Sequence, residues 1–227
     1  MRVGLDVLCF GRRLEGIVFD VDGTLTDSIE CYYEVFREVT DRQGIRVNRE
    51  DVLEPMATGA LIWDRAIPKN TPDRERVIQE LQSAIPAIFR EVFQRVRPFP
   101  QLEAVLTELR ERAIKVGAAT SSWKDAVQPL HDHGLAPYFE VIMTSEDGFR
   151  PKPAPDSILE CLRRMGVHPA HALTVGDTPL DIRAGKAAGT LTLGVLTGIG
   201  TREQLEAEAP TAIMDGIGQI MSVLNLR

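Results

Sequence analysis

FDVDGTLTDS, residues Phe19 to Ser28, follows directly on the apolar run Gly16-Ile17-Val18 and packs three aspartates and a Gly-Thr pair into ten positions. A short apolar run bounded by turn residues reads as a buried strand. Carboxylates at the end of such a strand have no packing use, so the stretch points to chemistry at the carboxyl end of a core strand. Three other runs end the same way. Ile114 to Ala119 ends at Thr120-Ser121, Phe139 to Met143 at Thr144-Ser145-Glu146, and Ala172 to Val175 at Gly176-Asp177. Helical periods lie between them: Leu102, Val105, Leu106 and Leu109; Ile158, Leu159, Leu162 and Met165; then a helix from Thr178 to Ala188, with Pro179 in its first turn and Gly189 as its stop. Strands alternating with helices imply an α/β fold built on a parallel sheet. Ligands of such sheets sit beyond the carboxyl ends of the strands, so the four polar loops are expected to converge on one site.

Residues 29–96 break the alternation. Ile29, Tyr32, Tyr33, Phe36 and Val39 make one helical apolar face, and Val77, Ile78, Leu81, Ile85, Ile88, Phe89 and Val92 supply others. The expected organisation is a core of residues 1–28 and 97–227 with an inserted all-helical cap, residues 29–96, above the site; Pro98 and Pro100 mark the return to the core. The first fifteen residues read either as an extra edge strand or as a loosely packed arm.

Charge and cysteine usage exclude several classes. A net charge of -7 leaves no overall positive field to gather nucleic acid or anionic membrane, so an anionic substrate must be held locally. Cys9, Cys31 and Cys161 are too far apart for a zinc spacing or a disulfide framework and suit a reducing compartment. Val3 to Phe10 is short, contains Asp6 and precedes Arg12-Arg13, the wrong charge order for a signal peptide. The expected location is the cytoplasm.

In order, Asp20-Val21-Asp22-Gly23-Thr24-Leu25-Thr26-Asp27, Thr120-Ser121, Lys152 within Arg150-Pro151-Lys152-Pro153, and Gly176-Asp177-Thr178-Pro179-Leu180-Asp181 resemble the four signature motifs of the haloacid dehalogenase superfamily. The resemblance spans roughly residues 16–200 and implies a Rossmann-like core with a helical cap. It implies that Asp20 attacks phosphorus and binds Mg²⁺, that Asp22 lends the metal its backbone carbonyl, that Asp177 completes the protein ligands, and that Asp181 orients a metal-bound water. Elementary electrostatics agrees. A carboxylate approaching an anionic phosphate to ~4 Å is repelled by about 4 kcal/mol at an effective dielectric of ~20, and a hard cation with oxygen ligands removes that repulsion.

Asp22 separates reactions within the superfamily. An alkoxide leaving phosphorus needs a proton, which a nearby carboxyl group supplies and later recovers from water. Dehalogenases of the family lack this second aspartate, so Asp22 argues for a phosphate ester. Gly23 and Thr24 are expected to touch the substrate and to form the turn that lets the backbone amides near the nucleophile face the phosphate oxygens. Thr120 matches the hydroxyl that binds the phosphoryl group, with Ser121 beside it, and Lys152 matches the lysine that neutralises nucleophile and phosphate.

Taken singly, each motif has a packing explanation: a plain turn, a helix N-cap at Asp177-Thr178, a loop start, a solvated lysine between prolines. Taken together, at strand ends, they imply a Mg²⁺-dependent phosphatase of a small phosphorylated metabolite. The Gly-Asp-Thr-Pro-Leu-Asp form of the fourth motif is most similar to phosphoglycolate and sugar-phosphate phosphatases. A phosphosugar mutase of the β-phosphoglucomutase type is the alternative, although its fourth motif more often carries Glu-Asp where this chain has Gly176-Asp177. A binding module without turnover has no need of Asp20, Asp22, Lys152 and Asp177 together. Among other candidates, His131 and His133 fit a helix C-terminus better than a metal pair, Gly198-Ile199-Gly200 reads as a loop, Trp63 as cap core, and Thr58, Gly59 and Arg65 as candidates for a specificity loop.

Overall fold

A computed structural model describes residues 7–226. The described chain opens with a hairpin, β1 (Val7–Cys9) and β2 (Arg12–Arg13), and β1 pairs antiparallel with the last strand, β9 (Leu224–Leu226). Neither expectation for the first fifteen residues therefore holds over 7–15: they form a separate three-stranded sheet, with Val7 and Cys9 buried. Residues 1–6 lie outside the described residues.

The main sheet contains β3 (Gly16–Phe19), β4 (Lys115–Ala119), β5 (Val141–Met143), β6 (Ala172–Gly176), β7 (Leu191–Val195) and β8 (Ala212–Met214). All neighbours are parallel, in the order β5-β4-β3-β6-β7-β8. The first strand of this sheet is central, and the chain fills one side before crossing to the other. The strand order thus reverses between β3 and β6, the position at which loops diverge and open a crevice. Between β3 and β4 lie α1 (Ile29–Asp41), α2 (Arg49–Thr58), α3 (Ile62–Ala66), α4 (Arg74–Phe93) and α5 (Leu102–Glu111); α6 (Gln128–Asp132), α7 (Asp156–Met165), α8 (Pro179–Ala188) and α9 (Arg202–Ala207) follow β4.

Strand alternation divides the core. Ile17 and Phe19 of β3 pack with α5 on one face, while Val18 joins α7 and α8 on the other. On α7 the buried stripe is Ile158, Cys161, Leu162 and Met165, whereas Leu159 is 39% exposed. The expected helix is present but its inward face is corrected: at 100° per residue Cys161, not Leu159, continues the i, i+3, i+4, i+7 row. On α8, Thr178 caps the N-terminus, Pro179 occupies the first turn, and Gly189 ends the helix in a left-handed conformation at φ 82°.

Helices α1 to α4 have an apolar cluster of their own. Ile29, Tyr32, Val35 and Val39 meet Leu81, Ile85, Ile88, Phe89, Val92 and Phe93, with Phe89 and Phe93 stacked. Ala126, from the segment after β4, is part of this cluster and ties the helices to the strand ends. No helix among the described residues is long and apolar enough to cross a membrane.

Candidate active site

Asp20 stands immediately after β3, its amide donating to Val175 O of β6 at 2.8 Å. Asp177 follows β6, Asp181 lies in the first turn of α8, and Lys152 arrives from the loop between β5 and α7. These elements bring Lys152 Nζ within 2.6 Å of Asp20 Oδ1 and 2.6 Å of Asp181 Oδ1, all three side chains being buried. Oxygens of Asp20, Asp177 and Asp181 lie within 4.8 Å of one another. Asp181 is aimed by its helix cap: its Oδ2 accepts from Thr178 N at 3.0 Å and Thr178 Oγ1 at 2.5 Å, leaving Oδ1 for Lys152.

One ammonium does not balance three buried carboxylates. Burial pushes Asp20 well above its ordinary value in spite of Lys152, with Asp181 and Asp177 adding to the rise. Burial, then Asp181, pushes Asp177 up to about 7. Lys152 is held protonated, since Asp181 and Asp20 outweigh the burial that opposes its charge. Two carboxylates ~5 Å apart repel by about 3 kcal/mol at an effective dielectric of ~20, so the excess negative charge fits a hard divalent cation held by oxygen ligands.

Asp22 stands apart from this cluster. Ser28 Oγ donates to its Oδ1 at 2.8 Å, Tyr32 OH donates to its Oδ2 at 2.9 Å, and Thr120 Oγ1 reaches the same oxygen at 3.4 Å. Ser28 is the N-cap of α1 yet makes no side-chain cap; its hydroxyl is committed to Asp22. Ser122 and Tyr32 share a short hydroxyl contact, and with the Tyr32 proton on Asp22, Ser122 is the donor to Tyr32. Burial raises Asp22 above the usual carboxylate range and the hydrogen bonds of Ser28 and Tyr32 oppose it. The two catalytic candidates therefore occupy different surroundings, one against a lysine and carboxylates, the other against hydroxyls.

The family model described as haloacid dehalogenase-like hydrolase matches residues 17–195. The chain belongs to this family. Among similar proteins are "Pyrophosphatase PpaX" of Bacillus velezensis, 27% identical over 95% of this chain and 99% of the relative, and "Phosphoglycolate phosphatase" of Escherichia coli K12, 28% identical over 94% and 93%. A β-phosphoglucomutase structure from Clostridium difficile superposes with a TM-score of 0.75 over 91% of this chain and 93% of that one; at 21% identity that likeness carries the fold alone.

Within this haloacid dehalogenase-like site Gly23 and Thr24, expected to touch the substrate, do not line the cleft. Gly23 N donates to Thr26 O at 2.9 Å and Thr24 N to Val21 O at 3.3 Å, so these amides close the turn on itself instead of facing the cleft. Thr24 Oγ1 donates to Asp177 Oδ1 at 3.2 Å. Gly23 has φ 74°, and a Cβ there would meet Gly198 Cα at 2.7 Å. Both residues support Asp177 from behind. The loop holding Gly198-Ile199-Gly200 does so from the other side: Ile199 N donates to Asp177 Oδ2 at 2.9 Å, and a Cβ on Gly198 would fall 1.8 Å from that oxygen. The sequence of this stretch reads as a plain loop, and the two glycines flanking Ile199 are the trace of its role.

The cleft, a cavity of about 100 Å³, is lined by Asp20, Asp22, Lys152, Asp177 and Asp181, by Thr120 and Ser121, and by residues not expected at the site from the sequence, among them Tyr32, Met56 and Ser122. Thr58, Gly59 and Arg65 do not line it. Thr58 Oγ1 bonds Glu54 O, Gly59 faces Leu180, and Arg65 pairs with Asp51 and Glu54. His133 Nδ1 lies 2.9 Å from Pro129 O at the end of α6, the helix-terminal position expected of it, and Trp63 packs beside Phe36 in the cluster of α1 to α4.

Proposed function

We propose that the protein is a Mg²⁺-dependent phosphatase of small phosphate monoesters, with Asp20 as nucleophile and Asp22 as general acid and base. The observation that carries this reading is the separation of the two carboxylates: Asp20 is set on Lys152 at 2.6 Å, while Asp22 is held by Ser28, Tyr32 and Thr120 with its proton affinity raised. Paired carboxyl groups whose surroundings differ take different roles.

An Asp20 oxygen attacks phosphorus as the bond to the leaving oxygen breaks, and the Asp22 proton passes to that oxygen. Asp22 then takes a proton from the water that attacks the aspartyl phosphate, which frees phosphate and restores Asp20. Lys152 holds Asp20 in line and adds fixed positive charge beside the transferring group. Ser121 and Thr120 line the cleft, where their hydroxyls would hold phosphate oxygens. Asp20 and Asp177, with the Asp22 backbone carbonyl, would hold Mg²⁺, and Asp181 would orient a water on it. When bound, Mg²⁺ neutralises the repulsion between nucleophile and phosphate.

We take residues 29–96 as a cap on a core of residues 1–28 and 97–227, supported by the separate apolar cluster of α1 to α4 and by the presence of Tyr32 and Met56 in the cleft. Such a cap excludes bulk water from the first step and favours small-molecule substrates over macromolecules. The test is p-nitrophenyl phosphate hydrolysis with and without Mg²⁺ by the wild type and by Asp20→Asn. Metal-dependent turnover falling by roughly 10³-fold or more in the variant is expected for loss of a nucleophile; activity surviving the change would falsify the assignment. Assaying sugar phosphates for isomerisation without phosphate release tests the mutase alternative in the same experiment.

A further inference from the structure

A second cavity, about 300 Å³, adjoins the cleft and shares Tyr32, Met56, Ser121 and Ser122 with it. Its remaining wall is Phe36, Ile62, Ile85, Phe89, Trp123 and Ser145, with no charged side chain. Trp123, which sits edge-on to Phe89 at 5.3 Å, is 41% exposed, a large indole left open at the chamber. The shared residues place the chamber beside Asp22, the side from which the proposed mechanism expels the leaving group.

Charge is the deciding feature. The cleft's single cation, Lys152, is bonded to both Asp20 and Asp181. Lys124 beside Trp123 pairs with Glu146 at 3.5 Å, Arg90 of α4 pairs with Asp125 at 3.4 Å, Arg65 pairs with Asp51 and Glu54, and none of the three lines either cavity. A carboxylate or second phosphate on the leaving group would lose its water, find no cation and lie near the Asp22 carboxyl. Of the chamber's four hydroxyls, those of Tyr32 and Ser122 are spent on Asp22 and on each other, which leaves only Ser121 and Ser145 to meet the several hydroxyls of a sugar. Apolar surface would meet Phe36, Met56, Ile62, Ile85, Phe89 and Trp123 there.

We infer that the substrate is a phosphate monoester of an uncharged, apolar alcohol or phenol, whose hydrocarbon part fills the chamber between α1, α4 and Trp123. This rests on the phosphatase reading and narrows it: glycolate and phosphate, the leaving groups in the names of two relatives, do not match the chamber.

The experiment measures kcat/KM of the full chain with Mg²⁺ on ethyl, hexyl and benzyl phosphate against 2-phosphoglycolate, pyrophosphate and glucose 6-phosphate, by phosphate release. Calorimetric binding of benzylphosphonate and phosphonoacetate gives a readout independent of turnover. Hexyl phosphate is expected to exceed ethyl phosphate by at least ~10-fold, and benzyl phosphate to exceed phosphoglycolate by about 100-fold, in keeping with what methylene-sized contacts discriminate in an apolar pocket. Met56→Arg, which sets a cation between the two cavities, is expected to shift the benzyl-to-glycolate ratio by at least ~10-fold toward the acid. A wild-type preference for phosphoglycolate, pyrophosphate or the sugar phosphate, or no gain from ethyl to hexyl, overturns the substrate class while leaving a phosphatase. If no ester is turned over, the phosphatase reading fails; tighter binding of benzylphosphonate than of phosphonoacetate then still supports an apolar chamber, and equal or reversed binding overturns it.

Discussion

Asp177→Asn is expected to make the metal-free protein more stable. Asp177 is 1% exposed and its carboxyl is pushed up to about 7 by burial, then by Asp181. In the unfolded chain an aspartate titrates near ~3.9. Between those values the native chain keeps a proton that the unfolded chain has released, so stability falls as pH rises through this window and levels off above about 7. Three pH units correspond to about 4 kcal/mol, an upper bound because proton uptake is shared with neighbouring Asp20. Asparagine can place its carbonyl on Ile199 N and donate its amide to Thr24 Oγ1, so the variant removes charge and retains both hydrogen-bond positions. A gain of about 2 kcal/mol is expected at pH 8, raising Tm by roughly 4–8 °C for a chain of this size. Melts in EDTA at pH 8 and pH 5 test this, the gap shrinking at pH 5. Saturating Mg²⁺ should reverse the order, because a site at 100 times its Kd stabilises the wild type by about 2.7 kcal/mol and the variant lacks one of the proposed ligands. A lower Tm for the variant in EDTA at pH 8, or a gap independent of pH, would refute the argument that uncompensated charge strains this site.

Lys152→Met leaves Asp20 and Asp181 without their shared partner and should cost about 3–5 kcal/mol in EDTA, read as a fall in Tm, with partial recovery when Asp20→Asn is added. Tyr32→Phe removes a donor that lowers the Asp22 pKa, so the acid form of Asp22 persists to higher pH and the alkaline limb of the rate profile moves upward; kcat should fall by about tenfold. On α7, Leu162→Ala should cost about 2–5 kcal/mol in chemical denaturation and Leu159→Ala less than about 0.5, which checks the corrected face of that helix.

Local pattern was enough wherever a residue's position follows from its own element. The buried run of β3 placed Asp20 at a strand end, and the Thr178-Pro179-Asp181 start and Gly189 stop of α8 marked the helix that presents Asp181. The same kind of reasoning erred where rotation decided the outcome: Leu159 and Cys161 both suit an apolar helix, and only packing on β4 and β5 shows which faces inward. Gly23 and Thr24, expected to touch the substrate, lie against Asp177 and outside the lining of the cleft.

The order of the motifs, their residue types and the strand that carries each were written in the chain itself, because spacing along a strand or helix is a local property. What surrounds Asp22 and what lines the chamber depended on tertiary contact. Tyr32 counts as an apolar residue of α1 until the packing of that helix brings its hydroxyl to Asp22, ten positions earlier in the chain. Phe36, Ile85 and Trp123 form one uncharged wall only after α1, α4 and the loop beyond β4 meet. Side-chain direction and the pairing of every nearby cation are long-range properties, and the field at a reacting atom is their sum.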